Sequence, residues 1–198
     1  MINRDFLVRI KENPVIAAVK TPEGLEKSLK SDCRVVFVLF GTITGIPGMV
    51  GTIKENGKLA IVHMDLIDGL APKESGVDYI KDFALADGLI STKVNLVRYA
   101  GSRGLLTVQR FFILDSIALI GAQKQIPAGT ADAIEILPGL MPKILGNLAG
   151  LTKKPLIAGG LISDMADVEA ALGAGATAIS TTCEDVWFMR QQLPFLKM

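Results

Sequence analysis

Short apolar runs in the sequence end in glycine or in polar residues, and these terminal residues are the ones whose types could do chemistry. One run is followed by Gly159-Gly160, and the next run ends in Ser180-Thr181. Glycines allow backbone N–H groups to approach an anion closely, and a hydroxyl adds a further donor. Together the two segments predict a phosphate-binding site. A second interpretation, in which the glycine pair only permits a tight turn, stays open.

Charged residues occupy the equivalent place after other runs: Lys20, Asp65, Arg110 and Glu135. Glu135 lies among aliphatic residues, where an ionised carboxylate cannot stay buried without a partner. It therefore either pairs with Lys20 or Arg110 or accepts hydrogen bonds from ligand hydroxyls. Lys20 is interpreted as a phosphate contact or an ion-pair partner rather than a Schiff-base amine, since nothing marks it as desolvated. His63 alternates with Asp65 onto one strand face and is interpreted as a core or supporting group rather than a base.

The elements that must position these residues follow one repeated pattern, a strand and then a helix, eight times. Continuous β-branched and aliphatic runs are typical of strands buried on both faces, as in a parallel sheet. Eight such units in one short chain predict an α/β fold, a compact TIM-type (β/α)8 barrel. In such barrels chemistry and binding take place at the C-terminal ends of the strands. The predicted strands are residues 14–19, 34–40, 58–63, 87–91, 104–109, 132–137, 155–158 and 176–180.

Two further positions are predicted to be structural. Asp87 and Asp132 each stand at the start of a predicted strand, which is the stability face of a barrel. The segment after Gly160 predicts a helix, because Met165 and Val168 share one face behind Asp164, a residue type that caps helix N-termini.

Composition excludes several classes of protein. The chain has 198 residues, 49% of them apolar and 21% charged, which is too apolar for a disordered segment. No apolar run approaches the roughly 20 residues of a membrane span, and residues 1–5 lack the apolar stretch of a secretory signal. Two cysteines and one histidine favour neither a disulfide framework nor a zinc site. We therefore expect a soluble, cytoplasmic, single-domain protein over residues 1–198, with no metal, no cofactor and no membrane contact.

The charge is unevenly distributed along the chain. Residues 88–163 contain eight basic and three acidic residues, a local charge of +5, whereas the whole chain carries +1. This segment could face a polyanion, although solvated helix faces often have the same composition. Phe111-Phe112 beside Arg110 could stack on nucleobases, but packing under the following helix is favoured.

The motifs as a set resemble the bacterial glycerol-3-phosphate-responsive antiterminators, the glycerol uptake operon regulators. The resemblance covers the chain from about Pro14 to Trp187, in order and at every strand end. The matching segments are PVIAAVK (14–20), HMDLI (63–67), DGLISTK (87–93), QR (109–110), EILPG (135–139) and IAGGLI (157–162).

The resemblance implies a regulator that senses glycerol 3-phosphate. When liganded, such proteins act on a leader mRNA and let polymerase read through a terminator into the genes of glycerol catabolism. The expected ligand would place its phosphate on Gly159, Gly160, Ser180 and Thr181 and its hydroxyls near Lys20, Asp65, Arg110 and Glu135. The expected RNA contacts are Lys93, Arg98, Arg103 and Lys124.

Two other classes of function remain as alternatives. A barrel enzyme acting on a triose or glycerol phosphate could use the same lysine, histidine and carboxylates for acid–base chemistry. A metabolite-binding barrel without RNA contact could act through a protein partner. The oligomeric state also stays open, since Trp187 and Phe188 could be core residues or a subunit contact.

Overall fold

The computed structural model describes residues 4–189 and contains a closed barrel of eight parallel strands, each paired with its sequence neighbour and the last paired with the first. Helices alternate with the strands, which confirms the predicted (β/α)8 fold. The strands are β1 (Val15–Val19), β2 (Val35–Val38), β3 (Leu59–His63), β4 (Gly88–Ser91), β5 (Leu106–Phe112), β6 (Ala133–Leu137), β7 (Leu156–Gly159) and β8 (Ala178–Thr181).

All helices of the described residues except the first lie around the outside of the barrel, and the first lies across one end of it. They are α1 (Arg4–Glu12), α2 (Pro22–Lys30), α3 (Ile46–Glu55), α4 (Glu74–Asp82), α5 (Val94–Ser102), α6 (Ser116–Ala128), α7 (Pro142–Ala149), α8 (Met165–Gly173) and α9 (Glu184–Trp187), with a 3₁₀ turn at Met64–Leu66. None of these helices is long and apolar enough to cross a membrane.

The strands alternate between the inside of the barrel and the helix layer. Ile16, Phe37, Ile61 and Ile157 belong to an inner apolar cluster, whereas their strand neighbours pack in a larger cluster with the helices. Because both faces of each strand are buried, the sequence shows continuous apolar runs, and this is why the strands could be predicted. Each strand begins one or two residues after its predicted start.

Strand β5 is longer than its apolar run predicts. Arg110, Phe111 and Phe112 continue the ladder opposite Glu135, Ile136 and Leu137. The polar pair Gln109-Arg110 interrupts the apolar run, so the sequence places the end of the strand too early.

Helix α1 was not predicted, and it closes one end of the barrel. Phe6 and Ile10 are completely buried in the inner cluster, and Arg9 donates a hydrogen bond to the carbonyl of Gly57, just before β3. The helix therefore covers the N-terminal ends of the strands. The barrel is left open at its opposite end, where the candidate residues lie.

The residues predicted to be structural have structural contacts. The Asp87 carboxylate accepts a hydrogen bond from the Ala60 N–H, and that of Asp132 accepts from the Thr107 N–H and hydroxyl. Asp164 caps α8 by accepting from the Asp167 N–H, as its residue type predicts.

Candidate functional site

Three polar side chains from three strands form a buried network at the C-terminal end of the barrel. Arg110 of β5 donates from Nε to Glu135 Oε2 of β6 at 2.6 Å, and Ser180 of β8 donates from Oγ to Glu135 Oε1 at 2.6 Å. Glu135 is completely buried, and Arg110 is 7% exposed. The structure therefore pairs Glu135 with Arg110, one of the two partners that the sequence left open.

The absence of a side chain at Gly159 allows this network to form. Gly159 of β7 lies between β6 and β8, and a Cβ at this position would lie 2.7 Å from both Glu135 Oε1 and Ser180 Oγ. At that separation a side chain at position 159 would force Glu135 or Ser180 to move. The glycine of the predicted phosphate motif thus also clears the space in which a β6 carboxylate meets a β8 hydroxyl.

The Arg110 guanidinium is only partly engaged. Its Nε binds Glu135, whereas no hydrogen bond within residues 4–189 uses its two terminal nitrogens. An arginine presents five N–H donors in a planar fork, so most of this donor capacity is left for an anion or a hydroxyl at the barrel mouth.

The other two charged candidates lie on the same mouth with different surroundings. Asp65, in the 3₁₀ turn after β3, accepts hydrogen bonds from the Ser91 hydroxyl at 3.0 and 3.1 Å and from the Thr92 N–H at 2.9 Å. This carboxylate is therefore held at the end of β4. Lys20 follows β1 directly and is exposed, and its side chain forms no hydrogen bond or ion pair within the described residues.

The loop after β7 has a strained backbone. Gly160 and Leu161 both adopt the left-handed region, with φ of 74° and 64°. This conformation is unfavourable for leucine, and Leu161 is also 72% exposed. The backbone N–H groups of Leu161 and Thr182 make no hydrogen bond within residues 4–189. Sequence reasoning did not identify Leu161, because no local signal marks a leucine for this conformation.

The two hydroxyls of the predicted phosphate motif point in different directions. Ser180 faces into the barrel and donates to Glu135, whereas the Thr181 hydroxyl donates to the carbonyl of Ile162 at 2.6 Å and accepts from the Cys183 N–H. Both hydroxyl protons thus have protein acceptors. Donors for an anion at this edge would come from the backbone of the β7–α8 and β8–α9 loops.

His63 is buried at the end of β3, with 2% exposure, and its Nδ1 has no hydrogen-bond partner in the part of the chain that the structure describes. Burial lowers the pKa of His63 to about 4, and the nearby positive charge of Arg110 acts in the same direction, whereas Asp65 opposes it. The imidazole is therefore neutral at neutral pH, which agrees with its interpretation as a core group. Within residues 4–189, no three His, Cys, Asp or Glu side chains are arranged to hold a metal ion.

The expected RNA-contact residues are exposed but not equivalent. Arg98 on α5 and Lys124 on α6 line one groove between these helices, and Lys93 directly precedes α5. Arg103 instead forms ion pairs with Asp78 at 2.9 Å and Asp82 at 2.7 Å. The structure thus brings two of the four cations together and neutralises a third.

A closed barrel with a polar network at the C-terminal ends of its strands defines a TIM-type (β/α)8 protein. Comparison with known proteins defines the family. The family model of glycerol-3-phosphate responsive antiterminators matches residues 15–187. The chain therefore belongs to that family.

Similar proteins agree with this assignment. The glycerol uptake operon antiterminator regulatory protein of Listeria monocytogenes is 29% identical, with a TM-score of 0.84 over 88% of this chain and 95% of that one. An antiterminator-related protein of Thermotoga maritima is 31% identical, with a TM-score of 0.75 over 87% and 96%. The uncharacterized protein YgcP of Escherichia coli K12 is 42% identical over 93% of this chain and 96% of its own length.

Membership supports a regulatory role, and the family name describes a regulator rather than an enzyme. Aldolases with 10–18% identity share the barrel, and that likeness shows the fold alone.

A side chain at Gly159 should disrupt the buried network. In Gly159→Ala the new methyl group would press Glu135 away from Ser180, and we expect the free energy of unfolding to fall by about 1–3 kcal/mol. Gly48→Ala is the control, because its methyl group would meet nothing within 4 Å on α3 and should be neutral or slightly stabilising. Urea unfolding measures both. Equal stability of the two variants would contradict the described geometry.

The pKa of His63 predicts a dependence of stability on pH. Because the unfolded chain binds this proton near pH 6.5 and the folded chain near 4, acidification across that window favours unfolding. Between about pH 7.5 and about pH 5, His63 should contribute a loss of about 2 kcal/mol. His63→Gln should lack this component in urea titrations at the two pH values. A histidine imidazole signal that titrates near 6.5 by NMR would refute the prediction, and the chain has one histidine to observe.

Proposed function

We propose that this protein is a glycerol-3-phosphate-sensing, RNA-binding transcription antiterminator that controls genes of glycerol catabolism. The ligand lies at the open end of the barrel, with its phosphate at the C-terminal ends of β7 and β8. The observation that carries the proposal is the buried Arg110–Glu135–Ser180 network at the open end of the barrel, next to the β7–α8 loop, where the Leu161 N–H has no acceptor within residues 4–189.

The phosphate position is supported by the backbone of two neighbouring loops. Leu161 and Thr182 supply N–H donors without acceptors in the described residues, and the left-handed conformation of Gly160 and Leu161 turns the loop away from the regular strand. Backbone N–H groups that converge in this way line phosphate-binding sites in many proteins. In this proposal Gly159 and Ser180 support the site from below, and Thr181 supports it through the bond that fixes Ile162.

The glycerol hydroxyls would meet the charged residues of the mouth. Glu135 accepts hydrogen bonds and already has a compensating cation in Arg110, so it can stay ionised while buried. The free nitrogens of Arg110 and the exposed amine of Lys20 donate, and Asp65 accepts. A buried ion pair adds little to folding stability, because apolar residues of the same volume often stabilise as well or better. Ligand recognition gives a reason for its presence.

The RNA contact is proposed for the basic side chains outside the barrel, namely Lys93, Arg98 and Lys124, with a smaller part for Arg103 because Asp78 and Asp82 already neutralise it. Residues 88–163 carry a local charge of +5, and a polyanion is the partner class that such a surface attracts.

Negative charge in the β7–α8 loop should abolish ligand binding. Gly160→Asp places a carboxylate beside the proposed phosphate, and we expect no detectable heat with glycerol 3-phosphate by isothermal titration calorimetry. Gly160→Asn is the control, because it has the same shape and backbone demand without the charge, and it should retain measurable affinity. Unchanged affinity in Gly160→Asp would remove the phosphate from this loop.

Neutralising Arg98 and Lys124, which line one groove, should weaken RNA binding more than neutralising Arg103, which already forms ion pairs with Asp78 and Asp82. Arg98→Gln with Lys124→Gln should lower affinity for an RNA selected from a randomised pool and reduce the salt slope by about one unit for each phosphate that is no longer neutralised. Arg103→Gln should have a smaller effect. Filter binding across salt concentrations measures this, with glycerol 3-phosphate affinity as the control. A salt slope equal to that of the unmodified chain would exclude this surface.

A further inference from the structure

A groove between α5 and α6 exposes the outer face of β5. Its volume is about 220 Å3, and its walls are mainly apolar, formed by Val94, Val97, Phe111, Ala128 and Ile134. Pockets that enclose drug-sized ligands measure about 300–1,000 Å3, so this groove has room for a single planar ring system. Phe111 packs against the core with part of its ring and lines the groove with the rest.

Gln109 supplies a fixed hydrogen-bond acceptor in this groove. The side chain is 5% exposed, and its Nε2 donates to the carbonyls of Thr92 at 3.0 Å and Ser91 at 3.3 Å. These two bonds fix the orientation of the amide, because carbonyls only accept. The other amide atom, Oε1, accepts no hydrogen bond within residues 4–189. Oε1 is not one of the fully buried atoms that lack a partner, so it is accessible from the groove as an acceptor for a donor that binds there.

The charge of the groove is positive. Arg98 and Lys124 line it, and a second cavity of about 430 Å3 continues from it along α5, sharing Arg98 and Thr130. Asp132 lines the second cavity, but its carboxylate is occupied by the Thr107 N–H and hydroxyl. The apolar groove is thus bordered by cations that have no carboxylate partner in the described residues.

We propose that this groove binds one unstacked nucleobase with an exocyclic amino group, taken from single-stranded RNA. The amino group donates to Gln109 Oε1, the ring lies against Phe111 and the valines, and Arg98 and Lys124 contact the flanking phosphates. Base stacking on an aromatic side chain combined with a cationic border is the usual mode of single-strand binding. This inference rests on the proposed RNA-binding function. It identifies Gln109 Oε1 as the contact that selects a base with an exocyclic amino group.

The same glutamine connects the groove to the barrel mouth. Thr92, whose carbonyl fixes Gln109, donates from its N–H and hydroxyl to Asp65, and Gln109 precedes Arg110 in β5. Asp65 and Arg110 of the proposed ligand site are therefore connected to the proposed base site, Asp65 through Thr92 and Arg110 as the sequence neighbour of Gln109. Binding at either site should change affinity at the other by the same factor, since such coupling is reciprocal.

A substitution that fills the groove tests whether a base binds there. In Ala128→Trp an indole occupies the space of the base, and the matched control is Ala170→Trp, at an exposed position of α8 outside the groove. The probe is an RNA selected from a randomised single-stranded pool with glycerol 3-phosphate present. We expect Ala128→Trp to lower RNA affinity about tenfold or more. Glycerol 3-phosphate affinity without RNA should be unchanged, and Ala170→Trp should alter neither affinity.

A second measurement identifies the amino group. Each adenosine or cytidine of the selected RNA is replaced in turn by the analogue that lacks the exocyclic amine, and one replacement should weaken binding to the unmodified chain but not to Ala128→Trp. RNA bound equally by both tryptophan variants would overturn the groove assignment and leave the antiterminator proposal intact. If no RNA is selected at all, the RNA-binding function itself fails, and the groove assignment with it.

Discussion

The ion pair between Arg110 and Glu135 is the interaction on which the open end of the barrel depends. A carboxylate with no exposed surface would be severely unfavourable without a cation, and Arg110 provides one at 2.6 Å from the neighbouring strand. The Ser180 hydroxyl satisfies the second carboxylate oxygen, and this contact is possible only because residue 159 has no side chain. One charge therefore constrains residue types on four consecutive strands, β5 to β8.

This arrangement links folding and recognition. The inner cluster and helix α1 close the barrel at its other end with apolar contacts. The mouth instead keeps acceptors and donors in fixed positions, with Asp65 held by β4 and the terminal nitrogens of Arg110 free of hydrogen bonds within residues 4–189. Such a preorganised polar layer suits a small polyhydroxylated anion, because little ordering is left to occur on binding. The same geometry suits acid–base chemistry less well, since the single histidine is neutral and buried.

The sequence predicted the barrel, its eight strands and the residues at their ends, because continuous apolar runs and polar run ends follow directly from burial on both faces. It could not choose between Lys20 and Arg110 as the partner of Glu135, since that choice depends on barrel geometry. It also assigned equal roles to Ser180 and Thr181, although strand alternation turns one inward and the other outward. Helix α1 was missed because it belongs to no strand–helix repeat, and the left-handed Leu161 because the loop as a whole imposes it.

The central claim, that the barrel binds glycerol 3-phosphate without transforming it, is tested most directly by phosphorus NMR of glycerol 3-phosphate incubated with the protein. The account predicts a shifted or broadened ligand line and no new phosphorus signal over several hours. A growing product signal would contradict it and make the protein an enzyme. An unperturbed line at high protein concentration would contradict it as well, because the ligand assigned to the mouth would then be wrong.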